Sequence, residues 1–245
     1  NLAVWMAVFL CLSVLCAVLG KRKEWMRKVE KGLLLFAILF SLVAGTAWIL
    51  SAHVAPIADA GSICAVAECM LNGEFPMQPP TYISYYPHQY GMVFILQCMF
   101  ALFGAGNYMP WEFMNVLLFP LMIFAGYRIL KLLSEDSMVC IYYLLMITAY
   151  LPAYFYLPYV YGDLPCAALG MVIMWQTVLL CKGEKERAVV WVAVAAGFGG
   201  LVRKNIFIVL IAAALVLLIC GMKNIHSRFF VRLFVTIAVM FLAVW

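Results

Sequence analysis

Apolar runs of 15 to 23 residues, separated by short charged punctuation, make up most of the chain. They fall at 2–20, 32–52, 111–133, 137–158, 164–181, 188–202, 205–222 and 229–245. This pattern predicts an all-α, polytopic membrane protein with about eight transmembrane helices. A ninth apolar stretch, "GMVFILQCMFALFG" at 91–104, is too short. As a helix it is ~21 Å long against a hydrocarbon core of ~30 Å. Residues 188–222 are too long for one span, at ~52 Å, and the glycines at 197–200 offer a place to break.

Composition strengthens the reading. Hydrophobic residues make up 68% of the 245 positions and charged residues 11%, where a soluble domain carries roughly 25% charge. No basic region precedes the first run, so it does not read as a signal peptide. The chain begins at Asn1 and stops at Trp245 inside an apolar run, and reads as a fragment of a longer protein. The nine cysteines form no CxxC pair, which argues against a disulfide framework or a zinc site.

The basic residues set the topology. If 91–104 does not cross, 14 of the 16 Lys and Arg fall on one side, leaving only Arg203 and Lys204 on the other. By the positive-inside rule the larger group is cytoplasmic. The net charge of +5 therefore serves topology and does not imply nucleic acid. The outer inventory is then a long loop at 53–110 with interfacial helices, the short loop "PYVYGDLP", and the reversal "GFGGLVRKN". No repeat or linker divides the chain, which reads as a single transmembrane domain, 1–245. Residues 1–31 hold an extra span and a cytoplasmic basic loop.

Four outer features carry candidate chemistry, each with two readings. Asp59 stands near the start of a short helix predicted at 57–71. It is either a carboxylate suited to the helix dipole or a base at the membrane surface. Asp163 follows Tyr156, Tyr159 and Tyr161. It is either a helix N-cap beside an aromatic belt or a second carboxylate facing the same pocket. Arg203 and Lys204 either snorkel to lipid headgroups or hold a phosphate group. The segment "PPTYISYYPHQYG" at 79–91 is either an interfacial girdle or a cavity wall, with Tyr86, His88 and Tyr90 offering contacts along with Tyr161. His226 falls on the cytoplasmic side and reads as inert.

The order of these elements resembles the front of the GT-C superfamily of membrane glycosyltransferases. The stretches that carry the likeness are "PIADAGSICAVAECMLNGEF", "YPHQYGMVFILQCMFALFGAGN" and "LVRKNIFIVLIA". The nearest group is the protein O-mannosyltransferase-like one (dolichyl-phosphate-mannose-protein mannosyltransferase or RgtA-like type). The likeness covers roughly residues 32–245, with 53–110 as the outer loop. It implies an inverting glycosyltransferase of the bacterial plasma membrane, with its active site on the outer face. The implied donor is a polyprenyl-phosphate-linked sugar, and the acceptor is a lipid, glycan or protein. Asp59 occupies the place of the catalytic acidic residue and Asp163 that of the second. Arg203, with Lys204, occupies the place of the residue that contacts the carrier phosphate. Asp163 would orient the acceptor or share a divalent cation, magnesium or manganese, with Asp59. The family's paired acidic motif is absent, since Ala58 and Ala60 flank Asp59, which weakens a tight metal site. The competing class is a transporter or lipid flippase. That class expects ionisable groups within the spans and repeated helix sets, and neither is evident here.

Overall fold

The computed structural model describes residues 10–11, 23–52, 54–74, 82–183 and 187–223. The described residues are all-α. Ten helices follow in order: α1 Lys23–Ala52, α2 Ala58–Leu71, α3 Tyr82–Tyr85, α4 Tyr90–Phe103, α5 Met109–Leu133, α6 Ser137–Thr148, α7 Leu151–Phe155, α8 Asp163–Cys181, α9 Ala188–Val202 and α10 Ile206–Lys223. A 3-10 turn, Pro87–Gln89, joins α3 to α4.

Among the described residues, three helices are long and apolar enough to cross a membrane: α1 from Glu24, α5 and α8. Shorter apolar helices run over Ser137–Thr148, Ala188–Val202 and Ile206–Cys220. The runs expected at 2–20 and 229–245 lie outside the described residues, apart from Leu10 and Cys11.

Three boundaries differ from expectation. First, α1 begins at Lys23 and not near 32. Its Lys, Arg and Glu residues are good helix formers, so the basic segment continues the span as helix. Second, the run 137–158 is not one helix, for α6 stops at Thr148 and α7 starts at Leu151. Pro152 gives the cause: it lacks an N–H, and its ring would clash with the carbonyl four residues back, on Thr148. Third, α9 runs through the glycines at 197–200 and breaks only at Arg203, whose backbone is extended (φ −161°, ψ 131°). Gly199 serves packing there. A Cβ on Gly199 would come within 2.7 Å of the Ile206 side chain.

The bundle is held by two apolar clusters, and a third gathers the short helices. One joins α1, α5, α6 and α7 around Ile49, Phe119, Leu144 and Leu157. Another joins α5, α8, α9 and α10 around Ile173, Ala196, Ile206 and Ala213. The third packs α2, α3 and α4 around Ile63, Ile83, Leu96 and Trp111, and includes Tyr161 and Val202. The helix ends therefore sort into two groups. At one end lie the start of α1, the α5–α6 and α8–α9 turns and the end of α10, with most of the basic residues. At the other lie the short helices and the α9–α10 turn. The basic end is locked by Glu30, only 2% exposed. It accepts from Tyr127 Oη at 2.7 Å and pairs with Lys131 Nζ at 2.8 Å, tying α1 to α5.

Candidate functional site

A cleft of about 220 Å³ opens at the end opposite the basic one. Four stretches line it: Asp59 from α2, residues from 82 to 89, Tyr161 before α8, and Arg203 to Asn205 between α9 and α10. It is smaller than the roughly 300–1,000 Å³ of sites that enclose a drug-sized ligand. Its size suits a single polar headgroup.

Asp59 is exposed in the first turn of α2. It does not cap the helix, since Ile57 holds the N-cap position. The residue before it, Ala58, has φ +52°. That left-handed conformation costs a residue with a Cβ about 1 kcal/mol. It falls directly before the carboxylate that lines the cleft. Backbone strain of this kind clusters at functional sites.

Asp59 neighbours the Tyr82 phenol. Burial first, then the Tyr161 hydroxyl and the Asp59 charge, push Tyr82 above its usual pKa, so it stays protonated as a donor. The Tyr82 and Tyr161 hydroxyls lie 3.3 Å apart, and Gln89 Nε2 donates to Tyr161 Oη at 3.1 Å. Gln89 is 4% exposed, and its Oε1 is buried without a donor. That leaves an unused acceptor in the cleft wall, an arrangement that costs stability unless a ligand or water meets it.

Arg203 closes the opposite side. Its guanidinium lies 4.7 Å from the centroid of the Tyr161 ring, a cation–π contact worth about 0.5–2 kcal/mol. Its Nη1 sits 2.6 Å from Asp163 Oδ1. Asp163 Oδ2 in turn accepts from Tyr156 Oη at 2.6 Å. Asp163 is the first residue of α8, with Gly162 as N-cap, so the expected capping role passes to its neighbour. It stands behind Arg203 and not in the cleft wall. The charges of Asp59 and Asp163 both reach the Tyr159 phenol and raise its pKa, after burial and Tyr161.

Lys204 is exposed and lines the cleft. Among the described residues it has no carboxylate partner. Tyr86 and His88 form the rim, their rings meeting edge-on at 6.0 Å. Tyr90, 46% exposed at the start of α4, is not in the cleft lining. No group of three or more His, Cys, Asp or Glu gathers among the described residues. Asp163 uses one oxygen on Arg203 and the other on Tyr156.

His88 offers a pH test. Burial first, and then the charges of Lys204 and Arg203, hold its imidazole below the ordinary 6.5. As pH falls through 6.5 the unfolded chain takes up a proton that the folded one refuses, so stability falls with it. Thermal melts of purified protein between pH 8 and 5 should show this loss, and His88→Gln should lessen it. Identical curves for the two proteins would remove His88 as its source.

The sequence reading missed several supports. Asn115, fully buried in α5, donates to the carbonyls of Leu157 and Tyr159 at 2.9 and 3.1 Å and fixes the loop that carries Tyr161. A lone amide in an apolar run is the signal that was there to find. Gly91 and Gly162 have no such signal. A Cβ on Gly162 would come 2.6 Å from the Val202 carbonyl oxygen, and one on Gly91 would overlap that of Leu201. Together they grip the end of α9 and aim Arg203. Gly91→Ala should cost about 1–3 kcal/mol by overpacking, lowering the thermal midpoint by roughly 2–4 °C per kcal/mol. Gly32→Ala, where nothing lies within 4 Å, is the control and should be neutral or stabilising. Equal midpoints for Gly91→Ala and Gly32→Ala would refute the close contact.

Comparison with protein-family models, with curated proteins and with solved structures finds no match to this chain.

Proposed function

We propose that the chain is a polytopic membrane glycosyltransferase of about eight spans, moving a sugar from a polyprenyl-phosphate donor to an acceptor at the outer membrane face. One observation carries the reading. Distant stretches of sequence bring an exposed carboxylate, Asp59, and two cations, Arg203 and Lys204, into one small cleft at the end of the bundle away from the basic residues. If the basic end faces the cytoplasm, the cleft opens at the outer interface. A polyprenyl tail stays in the bilayer and holds its phosphate at that level.

The chemistry follows from the layout. The acceptor hydroxyl attacks the anomeric carbon while the bond to the phosphate oxygen breaks. The phosphate leaves with the electron pair, and Asp59 takes the hydroxyl proton as general base. A single displacement inverts the anomeric centre. Lys204 meets the donor phosphate as a mobile point charge, and Arg203, held by Asp163 and Tyr161, offers its free N–H groups to the departing oxygens. Asp163 is on this reading a positioning residue. Gln89 Oε1 is an acceptor suited to a sugar hydroxyl.

The test is transfer by purified full-length protein from a panel of polyprenyl-phosphate monosaccharides, with the released polyprenyl phosphate measured. Release that depends on acceptor supports the reading, and none from any donor would oppose it. The topology is tested separately. A cysteine placed at Ser134 in a background cleared of other thiols should label only from the cytoplasmic side, and labelling of intact cells from outside would reverse the bundle.

A further inference from the structure

A second opening, about 410 Å³, lies on the flank of the bundle between α5, α8 and α9. Leu121 comes from α5, Trp175 and Gln176 from α8, and Trp191 and Val194 from α9. It is remote from the cleft, since Trp175 is ~18 Å along α8 from Asp163. Trp191 and Val194 are 57% and 48% exposed, so the groove opens sideways. An apolar groove on a spanning bundle is filled by something apolar.

Its end nearest the basic residues is polar in a particular way. The Arg128 guanidinium lies 5.6 Å from the centroid of the Trp175 ring. Arg128 Nε and Trp175 Nε1 are both buried without an acceptor. Among the described residues Arg128 has no carboxylate partner, while the nearby Glu30 is neutralised by Lys131. Arg128 stands seven residues beyond Leu121. That is two turns on the same face of α5, ~10 Å closer to the basic end.

We propose that this groove seats an acyl chain of an anionic glycerophospholipid from the leaflet on the basic side, with the lipid phosphate on Arg128. The parts fall in the order of such a lipid. An unpaired cation stands at headgroup depth, and an apolar trough lies below. A zwitterionic lipid fills the trough equally well, but its quaternary ammonium offsets the phosphate charge that Arg128 meets. The charge therefore selects an anionic headgroup. The inference rests on α5 and α8 being membrane spans and is independent of glycosyl transfer.

The experiment uses full-length protein in detergent, offered dioleoyl phosphatidylglycerol or dioleoyl phosphatidylcholine at equal concentration, with retained lipid counted by native mass spectrometry. Wild type should retain phosphatidylglycerol about fivefold better, the contribution of one basic residue at an anionic headgroup. Arg128→Gln should abolish the preference, while Arg128→Lys, which keeps the charge, should preserve it and controls for folding. Val194→Trp should fill the groove and lower retention of both lipids. Equal retention of the two lipids by wild type would overturn the proposal, as would an undiminished preference in Arg128→Gln. Unchanged retention in Val194→Trp would also overturn it and would point to another part of the chain, such as residues 224–245, as the cover.

Discussion

Asp59→Asn should lower transfer from a polyprenyl-phosphate sugar by roughly 10²–10⁴-fold, the usual contribution of a positioned general base. The substitution keeps shape and one hydrogen-bond acceptor but cannot take a proton. Donor binding should survive, because the phosphate meets Arg203 and Lys204 on the other side of the cleft. The loss should therefore fall on kcat and leave the donor KM close to wild type. Stability should hardly change, since Asp59 is exposed and caps nothing. The measurement is steady-state transfer by wild-type and Asp59→Asn protein purified in parallel, with thermal midpoints compared. Full activity in Asp59→Asn would end the general-base assignment. A loss confined to donor KM would make Asp59 a binding group instead. The alternative in which Asp59 merely favours the helix dipole predicts a small stability change of about 0.3–1 kcal/mol and no kinetic effect.

What was legible before the structure, and what was not, divides along a physical line. Helices came through because long apolar runs have few other solutions in lipid. The short helix over 58–71 came through because Pro56 and an apolar stripe bracket it. Asp59, His88, Tyr86, Tyr161, Arg203 and Lys204 were collected by one argument about which side of a membrane each loop faces. The structure brings those six to one cleft. Topology alone does not say which outer residues touch. Tyr90 and Asp163 are not in the cleft lining, though Asp163 pairs with Arg203, which is. The glycines at 197–200 misled. A glycine run signals either a break or close packing, and only the position of Ile206 decides between them. Gly91 and Gly162 were silent for the same reason, being needed for a contact whose partner is more than thirty residues away. Pro152, by contrast, was visible and was underweighted, for its clash with Thr148 is local and follows from the sequence alone.

The pairing of Arg203 with Asp163 changes what substitution of either should do. Arg203→Ala removes the N–H donors meant for the leaving phosphate, each charge-assisted bond being worth roughly 1.5–3 kcal/mol, or about 10- to 150-fold in rate. Arg203→Lys should recover little, because an ammonium replaces a planar fork that is stacked on Tyr161 and gripped by Asp163. Asp163→Asn should be milder, since the cation remains and the Tyr161 ring still holds it. If Asp163 acts only by aiming Arg203, then once Arg203 is gone Asp163 has nothing left to aim. The double variant Arg203→Ala, Asp163→Asn should therefore be no slower than Arg203→Ala alone, a coupling as large as the whole effect of Asp163→Asn. Were Asp163 instead a base or a metal ligand in its own right, the two losses would add and the double variant would be slower by the full product. Lys204→Ala supplies the reference: as the unpartnered cation of the cleft it should raise donor KM and leave kcat nearly intact. Kinetics of these five variants and wild type, with thermal midpoints to confirm that Asp163, 39% exposed, tolerates the loss of its partner, separate these outcomes. Near-wild-type rates for both Arg203→Ala and Lys204→Ala would return the pair to simple lipid-headgroup contacts and remove the donor phosphate from this turn.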